Sequence, residues 1–162
     1  MTVHVSVLGG SVIVTNGDVR RSPARKADRV YALILLLAWA RGDGMTVAQL
    51  TDLLWGRQAE GTLRKTVQRA RQLLGSGEAI INLRGGYMLN EDLVACDLWE
   101  LEDEALTLIG GDDQETLTAW AERASAASPP SGLNRERLRE RAQLLLLLVT
   151  SDRTRRLLTA LD

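Results

Sequence analysis

The sequence predicts an α+β fold for residues 1–92, followed by a small all-α unit over residues 93–162. Three observations support this: short β-branched runs at the start, apolar residues at helical spacing afterwards, and glycine turns between them. With four Trp, two Tyr and no Phe, the core must consist mainly of Leu, Val, Ile and Ala. A chain of 162 residues can hold one domain with a smaller appendage, or two small domains.

Two short β-branched runs open the chain. Val3–Leu8 and Ser11–Thr15 flank Gly9-Gly10 and predict two strands of a small antiparallel sheet. Asn16-Gly17-Asp18 indicates a turn, and Val19–Arg21 is expected to form a third short strand.

The first helix is expected to begin at Ser22-Pro23, because serine is a good N-cap and proline is tolerated in the first helical turn. An apolar face at helical spacing follows, and the helix should end near Arg41, before two glycines. Its first turn contains the cations Arg25, Lys26 and Arg29, which the helix dipole disfavours there by a few tenths of a kcal/mol each. We therefore expect an anionic partner at this helix end.

Two further helices and a hairpin follow. Thr46–Gln49 fits a capping box that begins a short helix, and a third helix is expected from about Gly61 to Leu74. Ala79–Leu83 and Tyr87–Leu89 then predict a β-hairpin whose glycine-rich tip carries Arg84. Three helices followed by a hairpin are the layout of a winged helix-turn-helix domain, with the hairpin as its wing.

The predicted third helix has one apolar side, from Leu63 to Leu74, and an opposite side of cations and amides. Arginine can bond guanine, glutamine can bond adenine, and either cation can neutralise phosphates. An ordinary solvated helix face usually mixes charges to gain i,i+4 pairs, so four cations without an acid favour DNA binding over that alternative. The candidate DNA-binding residues of this helix are Thr62, Arg64, Lys65, Gln68, Arg69, Arg71 and Gln72.

Charge is distributed unevenly along the chain, although its formal net charge is −1. Residues 20–88 contain 12 Lys or Arg and 5 Asp or Glu, whereas residues 89–162 contain 8 and 15. A basic module that meets a polyanion, followed by an acidic module, would show this pattern. In such a module Arg84 would reach a minor groove or a phosphate, although it could also be a solubilising turn residue, and Arg25 and Lys26 would contact the DNA backbone.

The sequence offers little to a catalytic or metal-binding site. His4 and Cys96 are the only histidine and cysteine, too few for a His/Cys metal site, and the sequence contains no phosphate-binding glycine loop. We therefore expect a protein that is not an enzyme and needs no cofactor or metal. A single cysteine fits a reducing cytoplasm, and no apolar run is long enough to predict a membrane span or a secretory signal.

The second part is expected to contain four helices and one linker, Ser125–Gly132. Leu144–Val149 is apolar around the whole helix, so it should be buried, either within this unit or against a second subunit. The helices are predicted at Asp97–Ile109, from a cap at Asp112 and Glu115 to Ala124, from about Asn134 to Val149, and at Asp152–Leu161.

Three segments resemble a known family: Leu53-Leu54-Trp55-Gly56, Thr62–Gly75 and Gly85-Gly86-Tyr87-Met88-Leu89. They are similar to the OmpR-type winged-helix domain, and more narrowly to that of the Streptomyces antibiotic regulatory proteins (SARPs), over roughly residues 3–90. Cys96–Leu101 resembles the opening of the SARP activator domain, which would be shortened here. The resemblance implies a DNA-contacting helix at Thr62–Leu74, a wing at Arg84–Gly86, paired subunits on direct repeats, and recruitment of RNA polymerase.

These observations predict a sequence-specific, double-stranded DNA-binding regulator of transcription. Its expected partners are duplex DNA, a second copy of the chain and RNA polymerase, with no membrane. The alternative is a protein-interaction module in which the basic face of a winged helix docks an acidic partner of the transcription machinery. A third hypothesis treats the acidic part as a sensor of a small ligand or of dimerisation.

Overall fold

The computed structural model describes residues 2–9, 11–24, 28–109, 113–149 and 151–161. The described residues are 55 % helix and 16 % strand, a mixed α and β composition that confirms the predicted α+β class. Chain contacts divide it into two units: Met1–Asp97 with Pro130–Leu133, and Leu98–Pro129 with Asn134–Asp162. None of the helices in the described ranges combines the length and apolarity needed to cross a membrane.

The described part of the first unit contains three α-helices, one short 3-10 helix (Arg41–Asp43) and two small sheets. The sheets have the strand orders β3-β2-β1-β7 and β4-β6-β5. In chain order the elements are β1 (Val3–Ser6), β2 (Ile13–Asn16), β3 (Val19–Arg21), α1 (Arg29–Ala40), β4 (Met45–Thr46), α2 (Val47–Trp55), α3 (Glu60–Leu74), β5 (Ile80–Leu83), β6 (Gly86–Leu89) and β7 (Val94–Cys96).

The first sheet contains the three predicted N-terminal strands and one that was not predicted. β1 pairs antiparallel with β2, and β2 with β3. β7 pairs in parallel with the other edge of β1, so the predicted boundary at residue 92 precedes the last strand of this sheet. Asp97, directly after β7, connects this strand to the end of β1. Its carboxylate accepts hydrogen bonds from the Ser6 hydroxyl (2.7 Å) and from the backbone N–H groups of Val7 (2.9 Å) and Leu8 (3.3 Å).

The predicted start of the first helix is wrong. Ser22 and Pro23 are not helical but follow directly on β3, and α1 begins at Arg29. Asp28 is the N-cap: its carboxylate accepts a hydrogen bond from the N–H of Val30 at 3.0 Å, as capping requires. The helix ends at Ala40, one residue before the predicted end, and it is largely buried.

The second helix begins as predicted. The Thr46 hydroxyl accepts from the N–H of Gln49 (3.1 Å), and the Gln49 side chain accepts from the N–H of Thr46 (3.0 Å), so the capping box is complete. The predicted hairpin is also present, with Ile80 opposite Leu89. The short strand β4 was not predicted; it pairs Met45 with Tyr87 in β6 and extends the hairpin to three strands.

The second unit contains four helices in its described ranges, as predicted. The α5 N-cap is Asp113, whereas the predicted cap Asp112 lies outside the described residues. The buried indole of Trp120 donates to the carbonyl of Leu101 at 2.6 Å, and the buried Glu102 pairs with Arg137 at 2.9 Å. The helices are α4 (Asp97–Leu108), α5 (Gln114–Ala126), α6 (Glu136–Leu146) and α7 (Asp152–Thr159).

The first alternative, burial of all of Leu144–Val149 within this unit, is wrong. Leu147 is 85 % exposed and Leu144 is 44 % exposed, whereas Leu145 and Val149 are buried. The reason is that α6 ends at Leu146, so the last residues of the apolar run are not part of a helix that is buried on all sides.

Candidate nucleic-acid interface

Helix α3 is anchored in the first unit through one apolar face. Leu63, Val67, Ala70 and Leu74 are at most 2 % exposed, which confirms the predicted apolar side, and the helix packs on α1 and α2. Thr66 is also buried, and its hydroxyl donates to the carbonyl of Thr62 one turn earlier. These contacts fix the rotation of α3, so the opposite side of the helix must point away from the core.

That opposite side, here called the α3 outer face, is exposed along its whole length. None of its side chains forms a hydrogen bond or ion pair with any residue that the structure describes. An exposed helix face that leaves its cations and amides unpaired keeps all of their donors available to a ligand. The α3 outer face consists of Thr62, Lys65, Gln68, Arg69 and Gln72.

Arg64 stands beside this face but is paired. Its guanidinium lies 3.1 Å from the Glu60 carboxylate, and the two side chains are 70 % and 63 % exposed. The expectation of a helix without an acid is therefore wrong, because α3 begins at Glu60 and not at Gly61. A carboxylate in the first helical turn is favoured by the helix dipole, and the i,i+4 spacing adds the ion pair.

The structure places Arg71 against the hairpin instead of on the outer face. Its guanidinium donates two hydrogen bonds to the carbonyl of Ile80 (2.9 and 3.3 Å) and one to the side chain of Asn82 (3.0 Å). Arg71 is half-buried. It therefore joins α3 to β5 and holds the hairpin at a defined position relative to the helix.

The hairpin tip is held by backbone contacts. The N–H of Val47, in the first turn of α2, donates to the carbonyl of Gly85 at 3.0 Å. A Cβ at Gly86 would overlap the carbonyl of Met45, so only glycine allows β4 to approach β6 this closely. Arg84 is exposed at the tip, and no described residue pairs with it.

The basic residues before and within α1 have different positions. Arg25 and Lys26 lie outside the described residues. Arg29 donates to the carbonyl of Leu54 at 3.0 Å, and its guanidinium lies 5.8 Å from the centre of the Trp55 ring. Arg29 thus lies at the C-terminal end of α2, where the helix dipole favours a cation, so its position needs no anionic ligand.

Sequence reasoning missed one basic residue beside α3. Arg21 in β3 and Gln72 at the end of the α3 outer face line the same cleft, of about 130 Å³. Nothing in the local sequence distinguishes Arg21 from its neighbour Arg20, because only the pairing of β3 with β2 determines which of them faces the helix.

In the described ranges, no three His, Cys, Asp or Glu side chains lie close enough together to hold a metal ion. Cys96 is buried. No protein-family model matches the sequence, and no curated protein shows significant similarity to it.

Proposed function

We propose that the protein is a transcription regulator that binds double-stranded DNA in a sequence-specific manner. In this proposal the first unit is a winged helix-turn-helix domain, α3 is the recognition helix and the β5–β6 hairpin is the wing. The order of elements supports this assignment: α1, β4, α2 and α3 precede a hairpin whose second strand pairs with β4.

The observation that carries the proposal is the unpaired α3 outer face. The α3 outer face carries only cations, amides and a hydroxyl, and these groups match the donors and acceptors of a B-DNA major groove, which is wide enough to admit a helix. Lys65 and Arg69 supply charge for phosphates or guanine, whereas Gln68 and Gln72 can bond both edge groups of adenine.

The paired cation Arg64 has a separate role in this proposal. Its ion pair with Glu60 is largely exposed, so the pair contributes little to stability and is readily exchanged. On DNA, Arg64 leaves Glu60 for a base edge or a phosphate.

The wing supplies the second contact. Arg84 extends from a hairpin that is fixed to α3 by Arg71 and to α2 by the Val47–Gly85 hydrogen bond. A cation held in this way can bind a phosphate or enter a minor groove at little entropic cost, because the backbone that carries it is already ordered.

We further propose that the second unit acts in protein contacts. Its net charge is unfavourable for binding DNA, and two of its exposed leucines, Leu144 and Leu147, offer apolar surface to a second subunit. Pairing of two subunits on a repeated site and recruitment of RNA polymerase in the cytoplasm follow from the SARP resemblance and belong to the same proposal.

The proposal is tested by selecting duplexes from a randomised pool and titrating the enriched site with matched variants. Gln68→Ala and Arg69→Ala should each lose about 1–3 kcal/mol of binding free energy at that site. The control is Arg156→Ala, which removes the same charge from an exposed position in α7. If both α3 variants bind like the control, α3 is not the recognition helix.

A wild-type protein that enriches no site, and binds every duplex weakly at about 50 mM salt, would contradict DNA recognition altogether. The same basic face would then be assigned to an acidic protein partner.

A further inference from the structure

The two arginines of β3 lie on opposite faces of their sheet. In the antiparallel pairing with β2, Arg21 is opposite Val14 and Arg20 is opposite Thr15. Directly opposed residues share a face, and Val14 is only 1 % exposed. Arg21 therefore lies on the face that covers the core, at its outer edge, whereas Arg20 lies on the other face.

The covered face of the β2–β3 hairpin extends over the end of α3. A Cβ at Gly75, the C-cap of α3, would overlap the side-chain amide of Asn16, so the hairpin and the helix end are in close contact. The cleft of about 130 Å³ between them is lined by Val14, Asn16, Val19, Arg21, Gln72 and Leu73. Arg21 is thus a neighbour of the α3 outer face.

The charge of Arg21 is not neutralised within the fold. Arg21 is exposed and forms no ion pair with a residue in the described ranges. Burial raises the pKa of the Tyr31 phenol, the Asp28 carboxylate raises it further, and Arg21 opposes the rise. Arg21 is therefore close enough to α1 to act on Tyr31, as its position on the covered face requires.

We propose that the DNA interface continues from α3 onto β3, with Arg21 bound to a backbone phosphate beside the base contacted by Gln72. This inference rests on the proposed function and extends it. A major groove is bordered by phosphates on both sides, so a helix in the groove brings its flanking elements against the backbone. Guanidinium binds phosphate through two parallel hydrogen bonds, which would also fix the register of α3. Arg20, on the opposite face, makes no such contact.

The two arginines provide a matched pair of variants, since both are exposed and lie in the same three-residue strand. Affinity for the enriched duplex is measured at about 50 and 200 mM salt. Arg21→Ala should weaken binding on the order of tenfold at the lower salt, for specific and non-specific duplexes alike. The loss of affinity of Arg21→Ala relative to wild type should be about 3.5-fold smaller at the higher salt, because one phosphate contact contributes about 0.9 to the slope of log affinity against log salt concentration. Arg20→Ala should stay within about twofold of wild type.

Duplexes in which single phosphates are replaced by neutral methylphosphonates locate the contact. One replacement should weaken wild type and the Arg20→Ala variant but have no effect on Arg21→Ala, and Arg21→Lys should retain the salt slope. If the wild type binds its site specifically while Arg21→Ala and Arg20→Ala behave alike, the extension onto β3 is wrong and the α3 assignment stands. If the wild type has no specific site, both proposals fail.

Discussion

Removal of the Arg71 guanidinium should destabilise the first unit while leaving the α3 outer face chemically unchanged. Arg71→Met retains an unbranched apolar stem and removes the three hydrogen bonds to Ile80 and Asn82. A hydrogen bond from a charged donor contributes about 1.5–3 kcal/mol when buried. Because Arg71 is half-buried, water replaces part of this, and we expect a total loss of about 2 kcal/mol.

The matched control is Arg69→Met, two residues earlier on the same helix. Arg69 is exposed and pairs with no described residue, so its loss should change the free energy of unfolding by less than about 0.5 kcal/mol. Urea unfolding followed by tryptophan fluorescence measures both variants, and DNA titration should show the direct loss of a contact for Arg69→Met. Equal unfolding free energies for the two variants would refute the assignment of Arg71 as the link between α3 and the hairpin.

Three further perturbations test the fold around the site. Gly86→Ala should cost about 1–3 kcal/mol in thermal or urea unfolding, because the new Cβ meets the Met45 carbonyl; an unchanged stability would contradict that close approach. Asp97→Ala should cost about 2 kcal/mol, since the Ser6 hydroxyl and two backbone amides lose their acceptor, whereas Ser6→Ala should cost less. Hydrogen bonds from Thr116 lower the pKa of Asp113 below its ordinary value of 3.8. The ionised Asp113 carboxylate therefore stabilises the fold above the ordinary pKa, and this stabilisation is lost as the pH falls through the lowered pKa. The Asp113→Ala variant should accordingly lose less stability than wild type when unfolding is measured at decreasing pH.

Helix ends that are determined by capping residues or by a terminal glycine could be predicted from the sequence. The capping box of Thr46 and Gln49 and the glycine after α3 determine helix ends through neighbouring residues alone, and the structure contains both. Ser22-Pro23 also has helix-starting chemistry, but these residues follow directly on a strand, and Asp28 provides the cap that is used. Local propensity does not distinguish the Ser22 cap from the Asp28 cap, because the choice depends on where the preceding strand β3 ends.

The missed strands depend on distant partners. β4 has two residues and β7 has three, too few to show an alternating pattern. β7 forms because it pairs with β1, about ninety residues earlier in the chain. A strand of this kind is determined by tertiary contacts, so no window along the sequence identifies it.

In the candidate site, too, features that depend on local sequence could be predicted, whereas those that depend on tertiary contacts could not. The α3 outer face could be predicted because a 3.6-residue period assigns each side chain to a face once the apolar side is known. The position of the Arg71 side chain could not be predicted, because it depends on the position of the Ile80 carbonyl in the folded protein. Arg21 and Arg20 are likewise distinguished only by the strand register.

The central claim is that the α3 outer face recognises a DNA sequence. It is tested most directly by measuring the affinity of the wild-type protein for an enriched duplex and for a scrambled duplex of equal length, at about 200 mM salt. We predict an advantage for the enriched duplex on the order of 10³ or more, reduced by Gln68→Ala and Arg69→Ala but not by Arg156→Ala. Equal affinity for the two duplexes would contradict sequence recognition by this face.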